Sequence, residues 1–207
     1  MRTLIATMGF DERHVWPAIR LLPHDRLIVV GARDTFRSRA FRRLRAVQPD
    51  VLAVRVDPFD LRECMDAIVR CARTAREEGP VRIGAGGGTS LLTLAAVLAA
   101  FHEGIEAWFC DGPPVRLPVL QGARLADAFP AAERAILVRL RKATSSEALV
   151  AGLADLGFAR RTILAAIRSL ERKGLLRSSV HNGRPSVRPG PGLALVRATL
   201  GDGPEKA

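Results

Sequence analysis

Two short runs carry the residue types that could do chemistry: Thr7-Met8-Gly9-Phe10, and Gly86-Gly87-Gly88-Thr89-Ser90. Glycines without Cβ let a backbone approach a ligand closely, and the first amides of a following helix point at whatever sits above the turn. The chemistry on offer is anion binding, with phosphate as the expected guest. The same residues would also make a sharp strand-to-helix turn with no ligand at all. Two phosphate fingerprints are excluded by spelling. Gly88-Thr89-Ser90 supplies no Walker lysine, and Thr89 stands where GxGxxG needs its third glycine. Neither run contains a His or Lys that would serve as a general base, so no catalytic residue is assigned and an enzyme is not expected.

The elements that must hold these runs alternate strand and helix. Apolar strands are expected at Thr3–Thr7, Arg26–Gly31, Val51–Val56, from Val81 and at Ile105–Phe109. Helices are expected from Asp11 to Leu22, from Asp34 or Thr35 to before Pro49, from Asp60 to Gly79, and from Leu91 to Phe101. Near-continuous apolar strands separated by amphipathic helices predict a mainly parallel sheet covered on both faces, a Rossmann-like α/β unit over residues 1–125. In such sheets ligands bind beyond the carboxyl ends of the strands, near the topological switch point, where both runs fall. Val115–Leu120 is expected to return as a strand pair or an edge.

From Pro130 the pattern changes to three helices and a hairpin, which predicts a small winged helix-turn-helix over residues 126–207. Helices are expected at Ala131–Arg141, after Thr144 or Ser145, and from Ala159 to Gly174. The third carries Ile163, Ile167 and Leu170 inward, with Arg160, Arg161, Arg168 and Arg172 outward. The Asn-Gly turn of His181-Asn182-Gly183-Arg184 predicts a hairpin whose tip meets the DNA backbone or minor groove. Arg160, Arg161, Thr162, Arg168, His181, Asn182 and Arg184 are therefore the expected contacts to double-stranded DNA, a promoter or operator. The alternative for the same helix is a solvated basic face on a protein-interaction module.

Charge agrees with that division. The formal net charge is +11; residues 1–128 carry 18 basic and 15 acidic side chains, whereas 129–207 carry 14 and 6. The shorter part holds most of the excess, as a polyanion-binding segment would. Arginine outnumbers lysine 29 to 3, a bias that follows genome composition as readily as function. No run approaches the roughly 18 apolar residues of a membrane span, and the N-terminus does not read as a signal peptide, so no membrane partner and a cytoplasmic location are expected. Cys64, Cys71 and Cys110 form no CxxC pair and are read as buried thiols; no metal and no cofactor are expected.

With both halves in view, the chain resembles the archaeal CRISPR-associated transcriptional regulators that join a CARF (CRISPR-associated Rossmann fold) domain to a C-terminal winged helix. The likeness rests on Thr7-Met8-Gly9-Phe10 ending the first strand, on Gly86-Gly87-Gly88-Thr89-Ser90 after the fourth, and on the domain order. It implies a homodimer whose two copies of these loops hold a cyclic oligoadenylate, typically cyclic tetra-adenylate. The implied ligand-binding residues are Thr7, Met8, Gly9, Phe10, Gly86, Gly87, Gly88, Thr89 and Ser90. Backbone amides and the Thr89 and Ser90 hydroxyls would hold phosphate, and Phe10 would pack on an adenine. Two alternatives stand beside the regulator: a ring nuclease that cleaves the cyclic ligand, and a DNA-binding regulator whose Rossmann-like half only dimerises.

Overall fold

Strand β1 (Thr3–Met8) is buried along its whole length, as a central strand covered on both faces must be. It pairs in parallel with β2 (Arg26–Gly31) on one side and with β4 (Val81–Ala85) on the other. With β3 (Leu52–Arg55), β5 (Glu106–Phe109) and the antiparallel edge β6 (Val115–Arg116), the order is β3-β2-β1-β4-β5-β6. The chain thus reverses its direction of travel across the sheet between β1 and β4, and that is the switch point. The computed structural model describes residues 1–181 and 184–200, and the chain divides into units Met1–Leu125 and Ala126–Ala207.

Alternation along β1 sorts the two layers. Leu4, Ala6 and Met8 join a cluster with Ala18 and Leu22 of the first helical segment and with Ala40, Phe41 and Leu44 of α2 (Arg39–Val47). The other layer is α3 (Leu61–Glu78) and α4 (Ser90–Glu103), which bury Cys64, Met65, Ile68 and Ala72, and Leu92, Ala96 and Ala99. Gly84 is small for a packing reason: a Cβ there would stand 2.8 Å from the Ala18 methyl.

The caps explain where helices start. Asp60 accepts hydrogen bonds from the Arg62 and Glu63 amides at the head of α3. Ser38, not Asp34 or Thr35, caps α2 by accepting from Phe41; Thr35–Arg37 ahead of it is a 3-10 turn. The segment after Asp11 is likewise a 3-10 turn (Glu12–His14) followed by α1 (Trp16–Leu21) rather than one helix. Pro17 lies in the first turn of α1, where its missing N–H leaves no helical bond unmade. At its far end α4 closes on Glu103, a buried carboxylate ringed by Arg73 (2.6 Å), Arg124 (3.8 Å) and Arg76 (3.9 Å).

The second unit packs α5 (Ala131–Arg139), α6 (Ser146–Ala154) and α7 (Arg160–Arg172) around Ile136, Leu137, Leu153, Ile163 and Leu170. Ser145 caps α6, accepting from Ala148. Strands β7 (Thr144–Ser145), β9 (Arg184–Pro189) and β8 (Leu176–His181) form an antiparallel sheet in the order β7-β9-β8. Arg197 of the last helix, α8 (Leu193–Leu200), donates to the Leu137 and Leu140 carbonyls and so closes the C-terminal end of α5. No helix among the described residues is long and apolar enough to cross a membrane.

Candidate functional site

A cavity of about 660 Å³ opens at the carboxyl ends of β1, β2, β3 and β4. Loops after all four strands wall it, Met8 to Asp11, Ala32 to Thr35, Val56 to Phe59 and Gly88-Thr89, together with His14. Its size lies within the range of small-molecule sites, about 300–1,000 Å³.

The glycine turn is held from beneath. Thr7 is buried, and its hydroxyl oxygen accepts from the amides of Gly86 (3.1 Å) and Gly87 (3.2 Å). Three close approaches explain the missing side chains. A Cβ on Gly87 would meet the Thr7 carbonyl at 2.5 Å, one on Gly86 the Cys110 carbonyl carbon at 2.8 Å, and one on Gly9 the Gly88 Cα at 2.8 Å. Gly88 has φ +95°, a left-handed conformation that favours glycine. Thr89 then caps α4, accepting from Leu92 (3.1 Å) while its own proton goes to the Pro58 carbonyl (2.6 Å).

The expected ligand residues therefore divide. Met8, Gly9, Phe10, Gly88 and Thr89 line the cavity, whereas Thr7, Gly86 and Gly87 form the frame behind it and Ser90 is exposed on the first turn of α4. The Thr89 hydroxyl has spent its proton on Pro58 and offers none to a phosphate. The amides that remain are those at the start of α4, which no helix can satisfy from within.

Residues not singled out in the sequence complete the wall: His14, Arg33, Asp57 and Phe59. The His14 ring nitrogen Nδ1 stands 3.1 Å from Asp111. Asp11 accepts from Arg13, and that hydrogen-bonded guanidinium holds its carboxyl down at about 2. Arg33 forms no ion pair among the described residues. Phe10 and Phe59 are 71% and 76% exposed, an unusual state for two phenyl rings at one cavity. In the sheet β2 lies beside β1 and β3 beside β2, so the loops after them stand at the same strand ends as Met8 to Asp11.

The thiols take no part. Cys64 is buried, gives its proton to the Asp57 carbonyl (3.1 Å), and is pushed up to about 11 by that burial. Burial pushes Cys110 to about 11 as well. Thiols so raised are poor nucleophiles and poor ligands. Among the described residues no group of three His, Cys, Asp or Glu side chains is placed to hold a metal.

In the second unit Arg160, Arg161, Thr162 and Arg168 are all exposed on α7, and no carboxylate pairs with the three arginines among the described residues. Arg160, Arg161 and Arg168 border a shallow concavity with Leu164 and Ala165. His181 and Arg184 face each other in backbone register at the end of the β8–β9 hairpin. Asn182, with Gly183, lies outside the described residues.

No family model matches the chain, and no curated protein matches it. The chain is similar to many solved structures, among them three at 15–17% identity. They are Can2 from Sulfobacillus thermosulfidooxidans in complex with cyclic tetra-adenylate (15% identity, TM-score 0.49, 96% of this chain and 64% of that one), protein VC1899 from Vibrio cholerae (15%, TM-score 0.43, 96% and 64%), and a type III CRISPR defence DNA nuclease activated by cyclic oligoadenylate (17%, TM-score 0.47, 82% and 30%). The chain spans about 64% of the length of the first two.

Proposed function

We propose that the protein is a CRISPR-associated transcriptional regulator: its α/β unit senses a cyclic oligoadenylate, cyclic tetra-adenylate in the first instance, and its C-terminal unit is a winged helix that binds double-stranded DNA as part of a homodimer. One observation carries the reading. The same chain holds a strand-end cavity walled by glycine backbone and phenyl rings, and an exposed helix face of arginines that pair with no carboxylate among the described residues. The first suits a nucleotide. The second suits a phosphate backbone, because arginines without acidic partners release counterions when they meet DNA. In this reading α7 enters the major groove with Arg160, Arg161 and Thr162 at its leading turn, and the β8–β9 hairpin is the wing. Gly88, Thr89 and Met8 to Phe10 line the seat of the ligand, and Thr7, Gly86 and Gly87 hold them in place.

Calorimetric titration of the purified protein with cyclic tetra-adenylate tests the sensing half. Heat of binding and a rise in unfolding temperature are expected, because a ligand that binds only the folded state stabilises it. No heat and no shift would leave a DNA-binding regulator whose α/β unit only dimerises.

A second reading, ring nuclease activity, gains one specific observation: His14, set against Asp111, lies at the cavity wall, where it could serve as a general base. Linear products from cyclic tetra-adenylate, lost in His14→Ala, would establish it.

A further inference from the structure

We infer that Arg33 and Phe59 form the other half of the ligand seat, Arg33 taking a phosphate and Phe59 closing on a base opposite Phe10; this rests on the cavity being a nucleotide site, as proposed above.

Strand order sets the arrangement. Phe10 follows β1, Arg33 follows β2 and Phe59 follows β3, so the arginine's strand runs between the two that carry the rings. Neighbouring strands lie about 4.8 Å apart, which puts the roots of the two phenylalanine loops roughly 10 Å apart. Aromatic rings pair with centroids about 4.5–7 Å apart, so two rings that hold a flat base between them want about 9–14 Å. The roots of the two loops are spaced within that range.

Phe59 is exposed but not loosely held. Its amide donates to Asp57 (3.0 Å), the Asp57 amide donates to Glu63 (3.1 Å), and the Pro58 carbonyl accepts from Thr89 (2.6 Å). A loop tied at three successive residues presents its phenyl ring on a fixed backbone, so little backbone freedom is lost on binding. That is the reverse of what an idle surface phenylalanine requires.

The charge at the centre is Arg33. Three carboxylates share the wall with it, and each has another partner: Asp11 pairs with Arg13 (2.5 Å), Asp34 stands 3.9 Å from Arg37, and Asp57 accepts from the Phe59 amide. Arg33 lines the cavity, is exposed, and forms no hydrogen bond or ion pair among the described residues. A planar guanidinium between aromatic rings recognises an anionic group attached to a flat heterocycle, and a nucleoside phosphate has that chemistry.

Calorimetric titration of the full chain and of Arg33→Ala, Arg33→Lys, Phe59→Ala and Phe59→Tyr, with cyclic tetra-adenylate and separately with linear oligoadenylate, tests this. Both sites are exposed, so unchanged unfolding temperatures are expected. Arg33→Ala is expected to weaken the cyclic ligand about 10- to 100-fold, the range for a lost charge-assisted hydrogen bond. Arg33→Lys should recover only part of the loss and Phe59→Tyr nearly all of that in Phe59→Ala. If the wild type binds the cyclic ligand and both alanine variants match it within twofold, the seat is wrong and the sensing function stands. If only linear oligoadenylate binds, and Arg33→Ala abolishes it, the seat stands and the cyclic ligand falls. Binding of neither overturns the seat.

Discussion

The Thr89 hydroxyl donates to the Pro58 carbonyl at 2.6 Å, joining the turn before α4 to the loop after β3. The same oxygen accepts the Leu92 amide, so one side chain caps a helix and fixes the neighbouring cavity wall. In the proposed site the Thr89 hydroxyl would therefore act by positioning the turn and the Phe59 loop, its proton being engaged by Pro58.

Removing that hydroxyl in Thr89→Ala is expected to cost about 1 kcal/mol of stability, the usual value of an N-cap. It should also weaken ligand binding several-fold by releasing the Phe59 loop. Thr89→Ser should restore both. Thermal unfolding beside calorimetry separates the effects, and ligand affinity unchanged in Thr89→Ala would remove the positional role.

Thr7 lies deeper. Thr7→Val keeps the shape but leaves the Gly86 and Gly87 amides without their acceptor, a loss of about 1–3 kcal/mol for a buried group. Thr7→Ser should lie close to wild type. Chemical denaturation curves of the three proteins check the order; a Thr7→Val protein as stable as wild type would show that the turn does not depend on this oxygen.

How far could the chain be read before folding? The positions of the first five strands and the cap at Asp60 followed from apolar runs and spacing, and so did the inward stripe Ile163, Ile167 and Leu170 of α7. The cavity was half legible. Glycine spelling drew attention to Gly86 to Ser90, but two of those glycines are glycine because backbone from Thr7 and Cys110 passes within a methyl's reach. Arg33 and Phe59 carry no motif at all; single residues after a strand become wall residues only once β2 is known to lie beside β1 and β3 beside β2. Strand β7 is two polar residues long, too short for alternation to mark it.

Arginine substitution on α7 should appear in the salt dependence of DNA binding. If Arg160 and Arg161 each neutralise one phosphate, each alanine variant should flatten the slope of log K against log salt by about 0.9. Fluorescence anisotropy at several salt concentrations measures it, and slopes identical to wild type would place the DNA elsewhere.

In the second unit Lys173 reaches the buried carboxylate of Glu133 at 2.5 Å and lies 4.9 Å over the Phe129 ring. Lys173→Met strands that carboxylate, and because Lys173 is 39% exposed the expected loss is about 1–3 kcal/mol, less than for a fully buried pair. Both tryptophans, Trp16 and Trp108, lie in the first unit, so far-ultraviolet circular dichroism is the suitable probe. Adding Glu133→Gln should return part of the lost stability.

Coupling between the two units is the central claim, and one titration tests it most directly. Duplex DNA from the region upstream of the protein's own gene is titrated by anisotropy with and without saturating cyclic tetra-adenylate. Regulation by ligand requires the DNA Kd to move by at least about fivefold, the lower end of ordinary allosteric coupling, in either direction. A Kd that stays the same with ligand demonstrably bound would contradict the account.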